Sequence, residues 1–267
     1  MRAIALIAYA VLTGCVFDTG PSDGDETDGA ETDGAETDGP IVSLTFDDTF
    51  ADQQAAVDLL DERGMHGTFY VNSERIGKTE ALAESQLLDW QSRGHEIAGH
   101  TIGHVNLPML APDEQRQRVC DDRVALIEIG FTVTSFAYPF GASDAMTEQI
   151  VAECGYNSAR DIGGHDNPIP PPDLYLIRSA PSVKEETTAD DLEGYVAAAE
   201  QAGAWVPIVF HHVCDGCSTI GIAPATLEDF LDRLEARGTP VLTVDDVIGG
   251  DMQPAVPGSQ GKAPVGI

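Results

Sequence analysis

The sequence predicts an α/β fold of repeated strand–helix units, with parallel strands inside and helices outside. Three observations carry that expectation. From Ile41 to Val244, short apolar runs alternate with longer segments whose apolar residues recur at helical spacing. The first run, Ile41-Val42-Ser43-Leu44-Thr45-Phe46, is mostly apolar along its length, as a strand covered on both faces is. Finally, Asp47, Asp48, His100, His104, Phe140, Arg160 and His211 nearly all fall just after an expected strand, at the edge where parallel α/β folds assemble their sites.

The expected elements follow in order. After the strand at 41–46, residues 52–63 read as a helix with Ala56, Leu59 and Leu60 on one side and Gly64 as its stop. Residues 67–71 are the second strand, 81–93 the second helix, and 96–98 a short strand that delivers His100. Pro112, Asp113 and Glu114 have the composition of a helix start; Cys120, Val124 and Ile127 follow at i, i+4 and i+7 until Gly130. A strand at 132–138, a helix at 145–154 and a strand at 156–159 come next, then a Pro-rich loop at 168–172 and a strand at 175–177. A helix at 192–202, a strand at 205–211, a helix at 227–237 and a closing strand at 240–244 complete the series.

The flanks are different in kind. Arg2 precedes an apolar run, Ala3 to Leu12, shorter than the roughly 20 residues that span a bilayer, so it reads as an export signal. The run ends in Leu12-Thr13-Gly14-Cys15, which resembles a bacterial lipobox and implies a lipidated Cys15 and a membrane anchor; an ordinary signal peptide is the alternative. Val16 after that cysteine, by resemblance to enterobacterial lipoproteins, points to the outer membrane or cell surface. From Asp18 to Pro40 the chain is nearly all Asp, Glu, Thr, Gly, Ser and Pro, too polar to offset its ordering entropy. Calcium binding is the other use of such a stretch, but its period fits neither an EF-hand nor a nonapeptide repeat. The expected organisation is a signal peptide at 1–15, a disordered acidic linker at 16–40, one domain at 41–248, and a flexible tail at 249–267.

With 45 acidic against 14 basic residues and a net charge of −31, the chain is unsuited to capturing nucleic acid or an anionic surface. A neutral substrate, or one whose product is cationic, suits that field. The segment His100-Thr101-Ile102-Gly103-His104 spaces two imidazoles to meet on one side of a helical turn and share one metal ion. Thr101 stands where the zinc-protease helix motif has its glutamate, so a base must come from elsewhere. The adjacent carboxylates Asp47 and Asp48 can divide that work, one ligating and the other taking a proton.

Four cysteines follow Cys15. Cys214-Asp215-Gly216-Cys217 is open to three readings: a redox pair, half of a zinc site, or a local disulfide. Export favours the disulfide, and no second Cys-x-x-Cys exists to complete a zinc site. Cys120 and Cys154 either pair or are buried thiols. Asp245-Asp246 reads as a helix cap, Trp90 and Trp205 as core, and His66, His95 and His165 as residues without a partner pattern. His212 neighbours His211 on a strand and should face the other way.

Together these motifs resemble the polysaccharide deacetylase family, carbohydrate esterase family 4, with its NodB-homology domain. The resemblance covers roughly residues 41–245. Thr45-Phe46-Asp47-Asp48 matches the first motif, His100 to His104 the second, Tyr138-Pro139-Phe140-Gly141 a shortened third, and Val209-Phe210-His211 the fifth. The resemblance implies an incomplete, seven-stranded (β/α) barrel of NodB type. It also implies that Asp48, His100 and His104 hold a divalent metal, usually zinc, with cobalt or nickel as alternatives. Asp47 would act as base and His211 as acid, and the backbone N–H of Phe140 would help hold the oxyanion. The implied reaction is removal of the N-acetyl group from an N-acetylglucosamine-containing polysaccharide, chitin-like or peptidoglycan. The alternatives are cleavage of O-acetyl esters or another non-peptide C–N bond, or a non-catalytic glycan-binding relative. Two departures stand out. The third motif lacks its arginine, for which Arg160 is the candidate substitute beside Asp47, a surface salt bridge being the other reading. The fourth motif, an aspartate followed by tryptophan, has no clear match.

Overall fold

The computed structural model describes residues 39–164 and 166–258. The expected signal peptide with Cys15, all but the last two residues of the expected linker, His165 and residues 259–267 lie outside the described residues. Among the described residues, seven strands form one parallel sheet: β1 (Ile41–Asp47), β2 (Thr68–Val71), β3 (Glu96–Gly99), β4 (Ser135–Ala137), β5 (Ser158–Gly164), β6 (Ile177–Ser179) and β7 (Trp205–Phe210). Their order is β6-β5-β4-β3-β2-β1-β7. The seam between the edge strands is bridged where the N–H of Ala180 donates to Pro207 O and that of Val183 to Val209 O, each at 2.8 Å. The result is a nearly closed (β/α) barrel. The helices are α1 (Gln54–Asp61), α2 (Glu84–Ser92), α3 (Pro112–Ile129), α4 (Ala145–Glu153), α5 (Ala189–Ala202), α6 (Pro224–Arg237) and the short α7 (Val244–Ile248). None of them is long and apolar enough to cross a membrane.

Every residue of β1 is buried, so its two faces are distinguished by chemistry rather than exposure. Side chains two apart share a face. Val42, Leu44 and Phe46 point out to the helix layer, where Phe46 stacks on Phe69 at 4.9 Å and on Phe210 at 5.2 Å. Ile41 points in and packs with Ile177, Trp205 and Val244 at the base of the barrel. Ser43, Thr45 and Asp47 continue that inward face. The same parity on the other strands stacks Thr68, Glu96 and Ser135, then Tyr70, Ala98 and Ala137, along the barrel interior. In the same inward parity, Asp47 ends β1 opposite Tyr70, Arg160 lies within β5 opposite Ala137, and His100 and His211 directly follow β3 and β7.

Several expectations are corrected. The strand expected at 240–244 reduces to a single bridge between Val42 and Val241. Val42 N–H donates to Pro240 O, and Leu242 N–H returns a bond to Val42 O, each at 3.0 Å. Thr243 then caps α7, accepting from the N–H of Asp246, and this cap overrides the strand preference of Leu242, Thr243 and Val244. Asp246 supplies the reciprocal carboxylate of that capping box rather than the cap itself. The strand expected at 175–177 begins two residues later. The tail expected to be flexible is tied down through residue 258: the buried guanidinium of Arg123 donates to Gln253 O and Pro254 O, and Gly258 N–H donates to Asp121 Oδ1 at 2.7 Å.

Cys120 on α3 and Cys154 at the end of α4 form a disulfide across a separation of 34 residues. A loop of that size is worth about 4 kcal/mol through the chain entropy that it removes from the unfolded state. The double variant Cys120→Ala/Cys154→Ala is therefore expected to lose most of that stability, read as a lower denaturant midpoint with an active fold still present.

Glu96 lies inside the barrel, accepting from Thr68, Ser135 and the N–H of Asp245. Burial pushes its carboxyl up to about 7, against those hydrogen bonds, which pull it down. Its folded pKa thus exceeds its unfolded value near 4.5. Its contribution is complete below pH 4.5 and is lost as pH rises through 7. Thermal unfolding compared with Glu96→Gln should show the wild type losing on the order of 3 kcal/mol relative to the variant across that window.

Candidate active site

A strand turns successive side chains to opposite faces, so Asp47 and Asp48 can share one site only if the chain twists between them. It does: φ is 77° at Asp48 and 63° at Thr49. Two consecutive left-handed, non-glycine residues cost about 1–3 kcal/mol each, and the surroundings hold them. Thr49 Oγ1 accepts from the N–H of Asn72 at 2.9 Å, and Thr49 O from the N–H of Leu82 at 3.1 Å.

The two histidines converge without the expected helical turn. They lie in a tight loop with φ of 70° at Thr101, 81° at Gly103 and 49° at His104. Its start is pinned from three sides. The Asn72 amide donates to the carbonyls of His100 and Thr101, Asp122 Oδ2 accepts from the N–H of His100 at 3.2 Å, and the N–H of Ile102 donates to Arg118 O at 3.0 Å. Gly99, just before it, is required by close approach, since a Cβ there would collide with the Tyr156 hydroxyl.

His100 Nε2 and His104 Nε2 then lie 3.4 and 3.1 Å from Asp48 Oδ1. His100 Nδ1 faces Ala137 O at 2.7 Å, so it carries the proton and leaves the Nε2 lone pair turned to Asp48. Asp48 Oδ1 is buried and has no hydrogen-bond partner, between two imidazole nitrogens. One carboxylate and two imidazoles within 4.8 Å of one another are a donor set that fits a divalent cation. Burial opposes the charge on Asp48, yet His100 and His104 beside it hold its carboxyl well below the usual range. His100 is pushed up despite burial, by Asp48 and Asp47, whereas burial and His100 push His104 down.

Arg160 and Asp47 meet inside the barrel mouth. Arg160 Nη2 donates to both carboxylate oxygens of Asp47 at 2.6 Å, with the two side chains 0% and 3% exposed. That burial removes the surface salt bridge as a reading. The guanidinium also lies over the Tyr70 ring at 4.9 Å and donates through Nη1 to Asp161 O at 3.2 Å. His211 follows β7 within electrostatic reach of Asp47, Asp48 and His100, its pKa lowered by burial more than those carboxylates raise it. Its Nδ1 is buried without a hydrogen-bond partner. Phe140 stands at the rim with φ 62°, its exposed ring edge-on to His104 at 4.5 Å. Cys214 and Cys217 form a disulfide beyond β7.

Three residues that hold this arrangement were not found by sequence reasoning. Gln53 Nε2 donates to Asp47 O at 2.6 Å and to His211 O at 3.0 Å, clasping the ends of β1 and β7. Asn72 holds the histidine loop, and Asp122 joins that loop to the N–H of Ser73. Asp122 had one signal: a carboxylate placed among the buried residues Val119, Cys120 and Leu126 of α3.

Fold and site define a class: a (β/α) barrel whose mouth carries a carboxylate and two imidazoles that could hold a metal, beside a buried carboxylate–arginine pair. Residues 34–159, a stretch that includes Asp47, Asp48, His100 and His104, match the family model for polysaccharide deacetylase. The chain is 30% identical over 117 residues to a putative polysaccharide deacetylase, YxkH, from Bacillus subtilis, covering 43% of this chain and 42% of that protein. It is 27% identical over 212 residues to a probable peptidoglycan-N-acetylglucosamine deacetylase from Arthroderma benhamiae, covering 78% and 44%. The chain thus spans less than half the length of these curated relatives. Among solved structures, a family 4 acetyl xylan esterase from Clostridium thermocellum, in complex with a cobalt ion, shares the fold. Its TM-score is 0.56 at 22% identity, over 78% of this chain and 89% of that one.

Proposed function

We propose that this chain is a metal-dependent deacetylase that hydrolyses the N-acetyl group of an N-acetylglucosamine-containing polysaccharide, chitin-like or peptidoglycan. The observation that carries the reading is the orphaned, buried Asp48 Oδ1 between two imidazole nitrogens, with Asp47 held next to it by Arg160. Asp48, His100 and His104 would hold the cation, zinc by our reading. When bound, it would polarise the acetamide carbonyl and lower the pKa of a water molecule toward about 7. Asp47, fixed by Arg160 and Gln53, takes the proton of the attacking water. His211 delivers a proton to the departing amine nitrogen, which otherwise leaves poorly. The backbone N–H of Phe140 steadies the oxyanion. The test is acetate release from chitooligosaccharides, peptidoglycan fragments and O-acetylated xylan, with and without chelator. Release from the first two, abolished by chelator and in Asp48→Ala, is expected. Release from the xylan alone would replace the amide reading with an ester one, and release from none would leave a glycan-binding protein.

We also infer that the domain is anchored to the outer membrane or cell surface through a lipid on Cys15, with the acidic stretch to Pro40 as tether. Such placement would put the barrel within reach of envelope glycan. Metabolic labelling with a radioactive fatty acid should mark the wild-type chain and not Cys15→Ser.

A further inference from the structure

A second set of ligand-type side chains lies outside the triad. His212 follows His211 and turns to the other side of the strand end, where its Nδ1 is 2.7 Å from Asp52 Oδ2. Cys217 Sγ is 3.9 Å from the same oxygen. One ligand atom from each of Asp52, His212, Cys214 and Cys217 lies within 4.8 Å of all the others. Sequence spacing supplied only the Cys-x-x-Cys half of this group. Asp52 comes from 160 residues earlier, brought across by the β1–β7 pairing.

We propose that, once the Cys214–Cys217 disulfide is reduced, these four side chains form a second metal site that takes a zinc-class divalent cation. Two sulfurs, one imidazole and one carboxylate are a tetrahedral donor set for zinc, with bonds of about 2.3 Å to sulfur and about 2.0 Å to nitrogen and oxygen. Those lengths place neighbouring ligand atoms about 3.3–3.8 Å apart. The observed spacing needs only small side-chain rotations, with the two sulfurs separating from bonding distance. The frame is fixed by contacts that do not involve sulfur. Strands β8 (His212–Val213) and β9 (Gly221–Ile222) pair, Cys214 N–H donates to Ile222 O at 2.9 Å, and Val213 N–H donates to Asp52 Oδ1 at 3.3 Å. The His212 ring is stacked on Phe50 at 3.6 Å, which sets its plane.

The redox step balances with a phosphine as reductant. Phosphorus gives two electrons to the S–S bond, water supplies the oxygen of the phosphine oxide, and its two protons go to the thiols. Binding of the cation then releases those two protons to solvent, leaving a dithiolate. The site bears on catalysis through position. Asp52 adjoins Gln53 and His212 adjoins His211, so the cluster sits one residue from the Gln53 clasp on both proton-transfer groups.

The experiment is a titration of the full chain with cobalt(II) alone, in air-oxidised and in phosphine-reduced form. The reduced protein should gain an intense near-ultraviolet thiolate-to-cobalt absorption whose saturating amplitude corresponds to one thiolate-bound ion per chain, the sulfur-free triad taking up cobalt without adding to the band. The oxidised protein should lack it, and Cys214→Ser/Cys217→Ser and His212→Ala should lose it. The Asp48–His100–His104 triad contains no sulfur and gives no such band, so the result is independent of the deacetylase reading. Absence of the band in the reduced wild type overturns the proposal. So does its persistence in the double serine variant, which would assign it to Cys15, Cys120 or Cys154.

Discussion

Asp47→Asn is expected to lower kcat for acetate release by roughly 10²–10⁴-fold, the usual contribution of a positioned general base. The amide has the shape of the carboxylate and still offers one oxygen to Arg160 Nη2, but it cannot accept the proton of water. Asp48, His100 and His104 are untouched, so metal content measured by emission spectroscopy should equal that of the wild type, and KM should stay within a few-fold. A loss under tenfold would transfer the base role to another group. Loss of the metal together with activity would make Asp47 part of the ligand set rather than the proton acceptor.

Arg160→Ala should have the largest effect on folding. Its guanidinium is fully buried against a carboxylate that is almost as deep. Removing one partner of such a pair leaves an uncompensated charge and costs about 3–5 kcal/mol. We expect that loss in chemical denaturation, with a fall in kcat larger than the change in KM in whatever fraction remains folded. Arg160→Lys should recover part of both, because an ammonium restores the charge but not the guanidinium's contact with Tyr70. The double variant Asp47→Leu/Arg160→Met separates the two roles. Replacing the whole pair with apolar groups should restore most of the stability and none of the activity. If Arg160→Ala alone lost less than about 1 kcal/mol, the pair would be solvated and its positioning role would fail.

Much of the site was legible because inward and outward residues alternate with a fixed parity. Asp47, His100, Arg160 and His211 each occupy the inward register of a different parallel strand or of the residue just past it, and strand-end placement is visible in sequence. The missing arginine of the third motif was recoverable for the same reason, since Arg160 follows the strand expected at 156–159, although that strand runs on and places it within β5. The route from His100 to His104 was not legible: left-handed φ values at Thr101 and His104 are imposed by Asn72 and Asp122, residues with no local signature. Nor was the fate of residues 240–244, whose strand composition gives way to the Thr243 cap, leaving a single bridge between Val241 and Val42. The second ligand set, around Cys214, escaped notice because His212 and Asp52 become neighbours only when β1 and β7 pair.

The described end of the chain has a practical consequence. Arg123 gathers four carbonyl oxygens, from Val133, Cys154, Gln253 and Pro254, and two of them lie beyond α7. A trimmed piece that stopped at Ile248, where the regular elements end, would strand a buried cation in the middle of α3, directly beside Asp122 and the backbone that aims His100. Any shortened version made for crystallisation or fusion should therefore keep everything through Gly258, because those last residues hold the turn of α3 whose Asp122 is bonded to the histidine loop.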